Sequence, residues 1–529
     1  MRLYRAFATV GGLTLVSRVL GFARDILIAA TLGSGAVADA FFVAFRFPNL
    51  FRRLFAEGAF NAAFVPLFAK RLEGEGREAA RAFAEEATAG LIFVILALTI
   101  LAELAMPLLM YGFAPGFSAN REKFDLAVLL TRITLPYLLC MALVALLSGV
   151  LNAVGKFVES SAVSIVLNVT MMAATCIALA LGLRSEPLAG VVQAWGVFAA
   201  GLLQLWLLVD GVRRNRLAPR LRWPRMTEGV RRLIKLGIPG VIAGGVTQLN
   251  IVIGTIIASL QSGAVSHLYY ADRVYQLPLA IVGIAIGVVL LPDVSRHLRA
   301  GDHGSVMDSQ NRSLEFAMLL TLPASVALAV APTAIIQGLF ERGAFGPADT
   351  PPTAYALALF ALGLPAFVMI KVFSPAYFAR EDTRTPMRYA ALSMTANTLG
   401  SIALFFLFRR LGLMPHLGIA VATTLGGWLN AGLLHATLAR RGHFLADTRL
   451  KRSLPMIVLA SLIMGAVLFL LAPPLAALAV RHGTLARAAA LAAMVAAGGL
   501  VYTTVVVALG ALNVRQLRRL LPRPPAGRT

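Results

Sequence analysis

Ser17-Arg-Val-Leu-Gly-Phe-Ala-Arg-Asp-Ile-Leu-Ile-Ala-Ala-Thr31 sets two arginines and an aspartate into a run otherwise apolar enough for a bilayer core. The next apolar run repeats the anomaly with Asp39, Arg46, Arg52, Arg53 and Glu57. A charge at the centre of a membrane helix costs roughly 2.5–3.5 kcal/mol, so eight facing lipid would cost on the order of 20 kcal/mol. These side chains must therefore face a protein interior or a water-filled cavity. Such a cavity is suited to handling an anion.

The rest of the chain agrees with a membrane setting. Its 529 residues are 58% hydrophobic and 14% charged, where ordinary soluble domains carry about 25% charged residues. Apolar runs near twenty residues recur to the end and predict an all-α polytopic membrane protein of about 14 transmembrane helices. The spans are expected near 7–31, 36–66, 88–112, 126–151, 158–182, 188–210, 234–259, 266–293, 314–338, 354–378, 389–408, 416–438, 454–474 and 487–511. The basic opening residues lead straight into the span holding Arg18 and Arg24 with no small-residue cleavage site, which reads as a first span and not a signal peptide. Cys140 and Cys176 lie in apolar segments and read as two inert core thiols.

The formal net charge is +23, and its placement decides its meaning. Lys and Arg outside the spans fall about four to one on the side of the N-terminus, which puts both termini in the cytoplasm. The opposite side keeps few cations, Lys123, Arg342 and Arg487 among them. The basic loop Arg213–Arg232 and tail Arg515–Arg528 read as topology signals that also meet anionic membrane lipid, and nucleic acid is not an expected partner.

The two halves match in a common register. Ser34-Gly-Ala-Val37 recurs as Ser262-Gly-Ala-Val265, Leu135-Pro136 as Leu364-Pro365, Ser164 and Asn168 as Ser393 and Asn397, and Gly190 as Gly418. Six spans per repeat, an even number, give two parallel six-helix lobes related by an axis along the membrane normal. The division is residues 1–225, an N-terminal lobe; 226–445, a C-terminal lobe; and 446–529, two extra spans and a basic cytoplasmic tail. In this register Arg18, Arg24 and Asp25 fall opposite Val246, Val252 and Ile253, while charge in the second half appears at Asp272, Arg273 and Lys371. A symmetric scaffold with asymmetric chemistry suggests a polar, asymmetric ligand between the lobes.

Arg18 and Asp25 share one helical face about two turns apart. Pro48 is expected to kink the long second span. Arg46, Asn49 and Arg53 share a face through i, i+3 and i+7, and Arg53 can reach Glu57 at i+4. Arginine grips phosphate oxygens with a fixed fork of donors and keeps its proton. Packing pairs alone would account for most of the carboxylates, but the cations outnumber them, and the surplus reads as anion handling. Arg132 is expected to snorkel, while cavity lining and snorkelling stay open for Lys371. His267 and His416, near outer span ends, read as interfacial and not catalytic. No phosphate loop, zinc-type histidine pair or metal-spaced cysteine set is present, so no cofactor or metal is expected. Work must then come from an ion gradient, the membrane potential or the substrate's own gradient.

With these residues the chain resembles the MurJ (MviN) family within the MOP exporter superfamily. The resemblance rests on Ser17 to Asp25, on Asp39-Ala-Phe-Phe-Val-Ala-Phe-Arg-Phe-Pro-Asn49 running into Arg52-Arg-Leu-Phe-Ala-Glu-Gly-Ala-Phe60, on Tyr269-Tyr-Ala-Asp-Arg273, and on Ile370-Lys-Val-Phe-Ser-Pro375 with Ala379 to Pro386. It implies fourteen spans and a central cavity holding lipid II, the undecaprenyl-pyrophosphoryl disaccharide-pentapeptide, by its pyrophosphate. It implies Arg18, Arg24, Arg52 and Arg273 as functional arginines, with Asp25, Asp39, Asn49, Arg53 and Glu57 as supporting positions. The last two spans would form a groove for the undecaprenyl tail. Some relatives bind sodium in the C-terminal lobe through carboxylates, where this chain offers Gln248, Asn250, Asn397 and Ser401. The expectation is a flippase of the bacterial inner membrane, not an enzyme, working by alternating access. Arg18, Arg24, Asn49, Arg52, Arg53, Arg273 and Lys371 would bind substrate, and Asp25, Asp39, Arg46, Glu57 and Asp272 would form gating ion pairs, with Arg18 expected to pair with Asp25 and Arg53 with Glu57. A monomer is expected, with other cell-wall synthesis proteins as candidate partners. The alternatives are another MOP-type exporter of lipid-linked oligosaccharide, or a membrane glycosyltransferase. The latter needs acid/base side chains in outer loops, where Glu122, Asp125, Glu186, Glu341 and Asp349 are scattered.

Overall fold

The computed structural model describes the backbone of residues 2–52, 59–481 and 483–511, and their side chains except at 2–9, 51–52, 59–62, 239–247, 249, 284–289, 291–292, 303, 476 and 478–481. Among the described residues the chain is all helix, with no strand. The first eleven helices are α1 (Arg2–Leu32), α2 (Ala36–Arg52), α3 (Ala59–Gly74), α4 (Gly76–Leu104), α5 (Met106–Phe113), α6 (Arg121–Thr134), α7 (Tyr137–Ala153), α8 (Val158–Ala180), α9 (Pro187–Arg214), α10 (Glu228–Ser259) and α11 (Ala264–Arg299). They continue as α12 (His303–Val330), α13 (Pro332–Phe340), α14 (Thr350–Ala361), α15 (Leu364–Phe378), α16 (Arg384–Arg410), α17 (His416–Arg440), α18 (Thr448–Arg481) and α19 (Gly483–Ala508).

Ten described segments are long and apolar enough to cross a bilayer, with α6–α7 and α14–α15 each counted as one. Their outer faces carry exposed apolar side chains such as Leu101, Leu104, Trp206, Leu470 and Leu500, as lipid-facing surface requires. The protein is a multi-pass membrane protein. Within the described residues, four expected spans are each broken into two helices. The repeated Leu-Pro falls at or beside the break in both halves, between α6 and α7 at Leu135-Pro136 and between α14 and α15 just before Leu364-Pro365. Proline lacks the N–H that would continue the ladder and crowds the preceding turn. The other two breaks, at Ala105 and Ala331, also lie directly before a helix with Pro in its first turn. α2 runs on through Pro48 to Arg52.

The two repeats also build corresponding hairpins, α8 on α9 and α16 on α17, through close approach of small residues. A Cβ at Gly196 would lie 2.5 Å from the Ala174 Cβ, and one at Gly418 would lie 2.6 Å from the Leu404 carbonyl carbon. By contact the chain divides into two compact units, Met1–Tyr269 with Arg342–Gly346, and Tyr270–Glu341 with Pro347–Thr529. This division falls after the boundary expected at 225/226 from the sequence repeat because α10 packs on α3 and α4.

In the first unit, segment 342–346 lies against α1. The Ala344 N–H donates to the Ala30 carbonyl at 2.8 Å. Gly343 adopts φ +60, and a Cβ there would lie 2.2 Å from the Ala30 oxygen. Both facts exclude a larger residue without backbone movement. Gly343→Ala is expected to destabilise by about 1–3 kcal/mol and to raise proteolysis within 342–346 in the purified protein.

The second unit is centred on Val282, Leu314, Met318, Val372, Phe373, Tyr377, Leu438 and Leu450. α18 is clamped at its start by charge as well. Arg312 pairs with Glu315 and Asp447, Arg449 pairs with Glu315 at 3.2 Å, and Asp447 caps α18 through the Leu450 N–H at 2.7 Å. Between α15 and α16, the Asp382 carboxylate accepts from Arg441 at 2.7 Å and from the Thr385 N–H and hydroxyl at 3.0 and 2.7 Å. The Arg441 guanidinium and these Thr385 donors hold its carboxyl down to about 2, below the ordinary Asp value of about 3.9. A depressed carboxyl stabilises the fold fully above the unfolded value and loses that contribution as pH falls through the folded one. Asp382→Asn is therefore expected to leave acid denaturation unchanged above about pH 4 relative to its own neutral baseline and to flatten it between about pH 4 and 2, read by thermal melts of the detergent-solubilised protein.

Two expectations about single side chains are corrected. Cys140 is buried, but Cys176 is exposed on α8, because it faces outward from the α8–α9 hairpin. His416 is fully buried, with Nε2 3.0 Å from the Pro352 carbonyl, and His267 is buried too, so neither lies at a surface interface.

Candidate functional site

The charges of α1 and α2 are largely sheltered. In the first unit Arg24 and Asp25 are both buried. The Arg24 guanidinium donates to Asp25 Oδ1 through Nε at 3.0 Å and Nη2 at 2.7 Å, and through Nη1 to Asn168 Oδ1 at 3.0 Å. Asn168 in turn donates from Nδ2 to the Ser17 carbonyl at 2.8 Å, and Gly21 leaves room for its amide, with Asn168 Nδ2 3.4 Å from where a Cβ would stand. Tyr269 closes the group by donating its hydroxyl to Asp25 Oδ1 at 3.2 Å, its ring stacked on Phe42. Asp25 thus pairs with Arg24 where Arg18 was expected. Neighbouring positions lie about 100° apart on a helix, a gap the long arginine side chain bends across, while Arg18 is two turns away and exposed.

Asp39 sits in the first turn of α2 and is fully buried. Its Oδ2 accepts from Lys123 Nζ at 2.6 Å and the Gly263 N–H at 2.8 Å. Its Oδ1 accepts from the Ser266 N–H at 2.9 Å and the Ser266 hydroxyl at 2.8 Å. The carboxylate therefore caps the start of α11 from outside that helix, where free amides and the helix dipole favour an anion. The Ser266 hydroxyl also reaches the Ser34 carbonyl at 2.8 Å. The repeated Ser-Gly-Ala-Val turns consequently meet around this one carboxylate. Lys123, counted from sequence among the cations of the outer side, is buried over the Phe117 ring with its nitrogen 4.1 Å from the centroid.

Arg46 is half-buried and donates to the Thr255 hydroxyl at 2.6 Å. Asn49 donates to the Phe45 carbonyl of its own helix at 2.9 Å. Arg53 and Glu57 lie outside the described residues, as does the Arg52 side chain. In the second unit Asp272 accepts from Gln276 one turn on, and Arg273 is half-buried. Lys371 is exposed on α15, its chain laid across α11 so that a Cβ at Gly283 would come within 2.9 Å of its Cδ. Among the described residues no three His, Cys, Asp or Glu side chains gather as a metal cluster. The arrangement holds buried charge in ion pairs and hydrogen bonds.

Lys123, Asn168, Thr255, Ser266 and Tyr269 join these networks without having been singled out as site residues. Asn168, a polar residue inside an apolar span and part of the repeat, was the most visible signal of the five.

Comparison with known proteins agrees with this architecture. A family model described as "Lipid II flippase MurJ" matches residues 28–489. A protein of Rhizobium tropici named probable lipid II flippase MurJ is 47% identical over 99% of this chain and 97% of its own length. One from Burkholderia cenocepacia, named lipid II flippase MurJ, is 34% identical over 88% of this chain and 90% of its own. A solved structure titled "Lipid II flippase MurJ, inward closed conformation" superposes with a TM-score of 0.76 at 27% identity, covering 96% of this chain and 99% of that one. An inward-facing multidrug resistance transporter of the MATE family, in the MOP superfamily, shares the fold at 13% identity, with a TM-score of 0.66 over 82% of this chain and 98% of that one. From residue 28 to residue 489, and through relatives aligned along nearly its whole length, this chain belongs to the MurJ family.

Proposed function

We propose that this chain moves lipid II from the cytoplasmic to the periplasmic leaflet of the bacterial inner membrane by alternating access, with both termini in the cytoplasm. Residues 1–225 and 226–445 form its two lobes, and 446–529 add the tail-binding helices and a basic end. The supporting observation is the charge lodged in the otherwise apolar α1 and α2, where Arg24, Asp25 and Asp39 are buried yet provided with partners. Arg24, Arg52 and Arg273 grip the pyrophosphate, whose oxygens suit the arginine fork, and Arg18 lies in the same substrate path and exchanges with Asp25. Asn49, Arg53 and Lys371 add polar contacts to the headgroup. Asp25, Asp39, Arg46, Glu57 and Asp272 exchange partners as the gates open and close.

In this topology the Asp39 knot lies at the periplasmic ends of α1, α2, α10 and α11, and outward opening requires the contacts of Asp39 with Gly263 and Ser266 to break. No step of bond chemistry is assigned to the chain. It acts as a monomer, with other cell-wall synthesis proteins as further partners. Depletion in cells tests the substrate directly: growth should arrest with lipid II accumulated in the cytoplasmic leaflet. Accumulation of a different lipid-linked oligosaccharide, with lipid II distributed normally, would assign the chain to another exporter.

A further inference from the structure

Residues 217–226, between α9 and α10, form an irregular, non-helical segment in which arginine alternates with large apolar side chains: Arg220-Leu-Arg-Trp-Pro-Arg-Met226. Two acids of α4 fix it. Buried Glu85 accepts from the Arg220 N–H at 3.1 Å and pairs with Arg222 at 2.7 Å and with Arg81 at 3.2 Å. Glu86 accepts from the Thr227 hydroxyl at 2.6 Å, and Thr227 also caps α10. Arg222 is held against α4 by Glu85, while Leu221 and Trp223 are 82% and 88% exposed. Met226 is exposed beside them, and Arg220 and Arg225 flank the group on the surface.

An exposed tryptophan, leucine and methionine ringed by arginines would be a liability in water, yet it suits the headgroup layer of a bilayer. There the indole sits at the polar boundary, aliphatic side chains enter the acyl region and guanidiniums meet lipid phosphates. The segment follows directly on α9, which is long and apolar enough to cross a bilayer, so it lies where that layer begins. We infer that residues 220–226 are an interfacial anchor for anionic phospholipid, seating Leu221, Trp223 and Met226 in the cytoplasmic leaflet while α4 holds the segment in place. The leaflet assignment rests on the cytoplasmic placement of the termini proposed above; the lipid contact does not.

The test uses the full chain with W195F, W206F and W428F, leaving Trp223 as the sole tryptophan, in nanodiscs that expose both membrane faces. Lipid brominated on its acyl chains should quench Trp223, at least twofold more in phosphatidylglycerol than in phosphatidylcholine discs at low salt. Arg220→Glu with Arg225→Glu should abolish that preference; Arg222 is left intact to keep the Glu85 contact. Trp223 quenched by aqueous acrylamide but not by brominated lipid would overturn the anchor, and so would shielding from both quenchers, which would indicate a protein partner. Sidedness is read separately from R225C in a C140A/C176A background. A membrane-impermeant maleimide should label it only after the inner membrane is opened, and labelling in intact spheroplasts would overturn the orientation alone.

Discussion

Asp39→Asn is expected to destabilise the protein by about 3–5 kcal/mol, the usual cost of leaving one member of a buried ion pair alone, and to abolish transport. Both carboxylate oxygens act only as acceptors, one for Lys123 and the Gly263 amide, the other for Ser266. An amide nitrogen at either position would face a donor, and the Lys123 ammonium would stay buried without its counter-charge. Lys123→Met should cost less alone, since the carboxylate keeps three donors. The double variant should recover at least half of the stability lost in Asp39→Asn. Melting of the purified proteins measures this coupling, and simple additivity of the two changes would show that the pair is not the source of the loss.

Arg24→Ala is expected to show a comparable loss, about 3–5 kcal/mol, because Asp25 would keep only the Tyr269 hydroxyl among the contacts described for it. Adding Asp25→Asn removes the stranded charge and should restore most of the stability. Transport should remain at least about 100-fold below normal, since charge-assisted hydrogen bonds contribute about 1.5–3 kcal/mol each and two are lost from the diphosphate. Stability that returns while flipping stays absent separates anion binding from mere helix packing. Recovery of both together would reduce Arg24 to a structural residue.

Much of this arrangement is legible in the chain. The apolar runs, the Leu-Pro pairs and the Ser-Gly-Ala-Val turns are local signals, and they mark the helices, two of their breaks and the loops that meet at Asp39. The charges of α1 and α2 announce themselves because the runs that hold them are otherwise largely apolar. Their partners do not. Lys123 reaches Asp39 across 84 positions and Asn168 reaches Arg24 across 144, and no periodicity encodes which distant side chain fills a given gap. Arg24 turning to Asp25 instead of Asp25 pairing along the face with Arg18 has the same origin: helical registers define faces, whereas a flexible arginine chooses among partners by packing. Cys176 and His416 were misplaced for the complementary reason. An apolar span does not say which of its faces meets lipid and which meets protein.

The most direct test of the central claim is a leaflet-accessibility assay of lipid II in membranes carrying Arg24→Gln, Arg52→Gln or Arg273→Gln, with folded protein in the membrane verified for each. If these guanidiniums hold the pyrophosphate during passage, lipid II will stay in the cytoplasmic leaflet in all three. Normal delivery of lipid II to the outer leaflet by the folded variants would contradict the account.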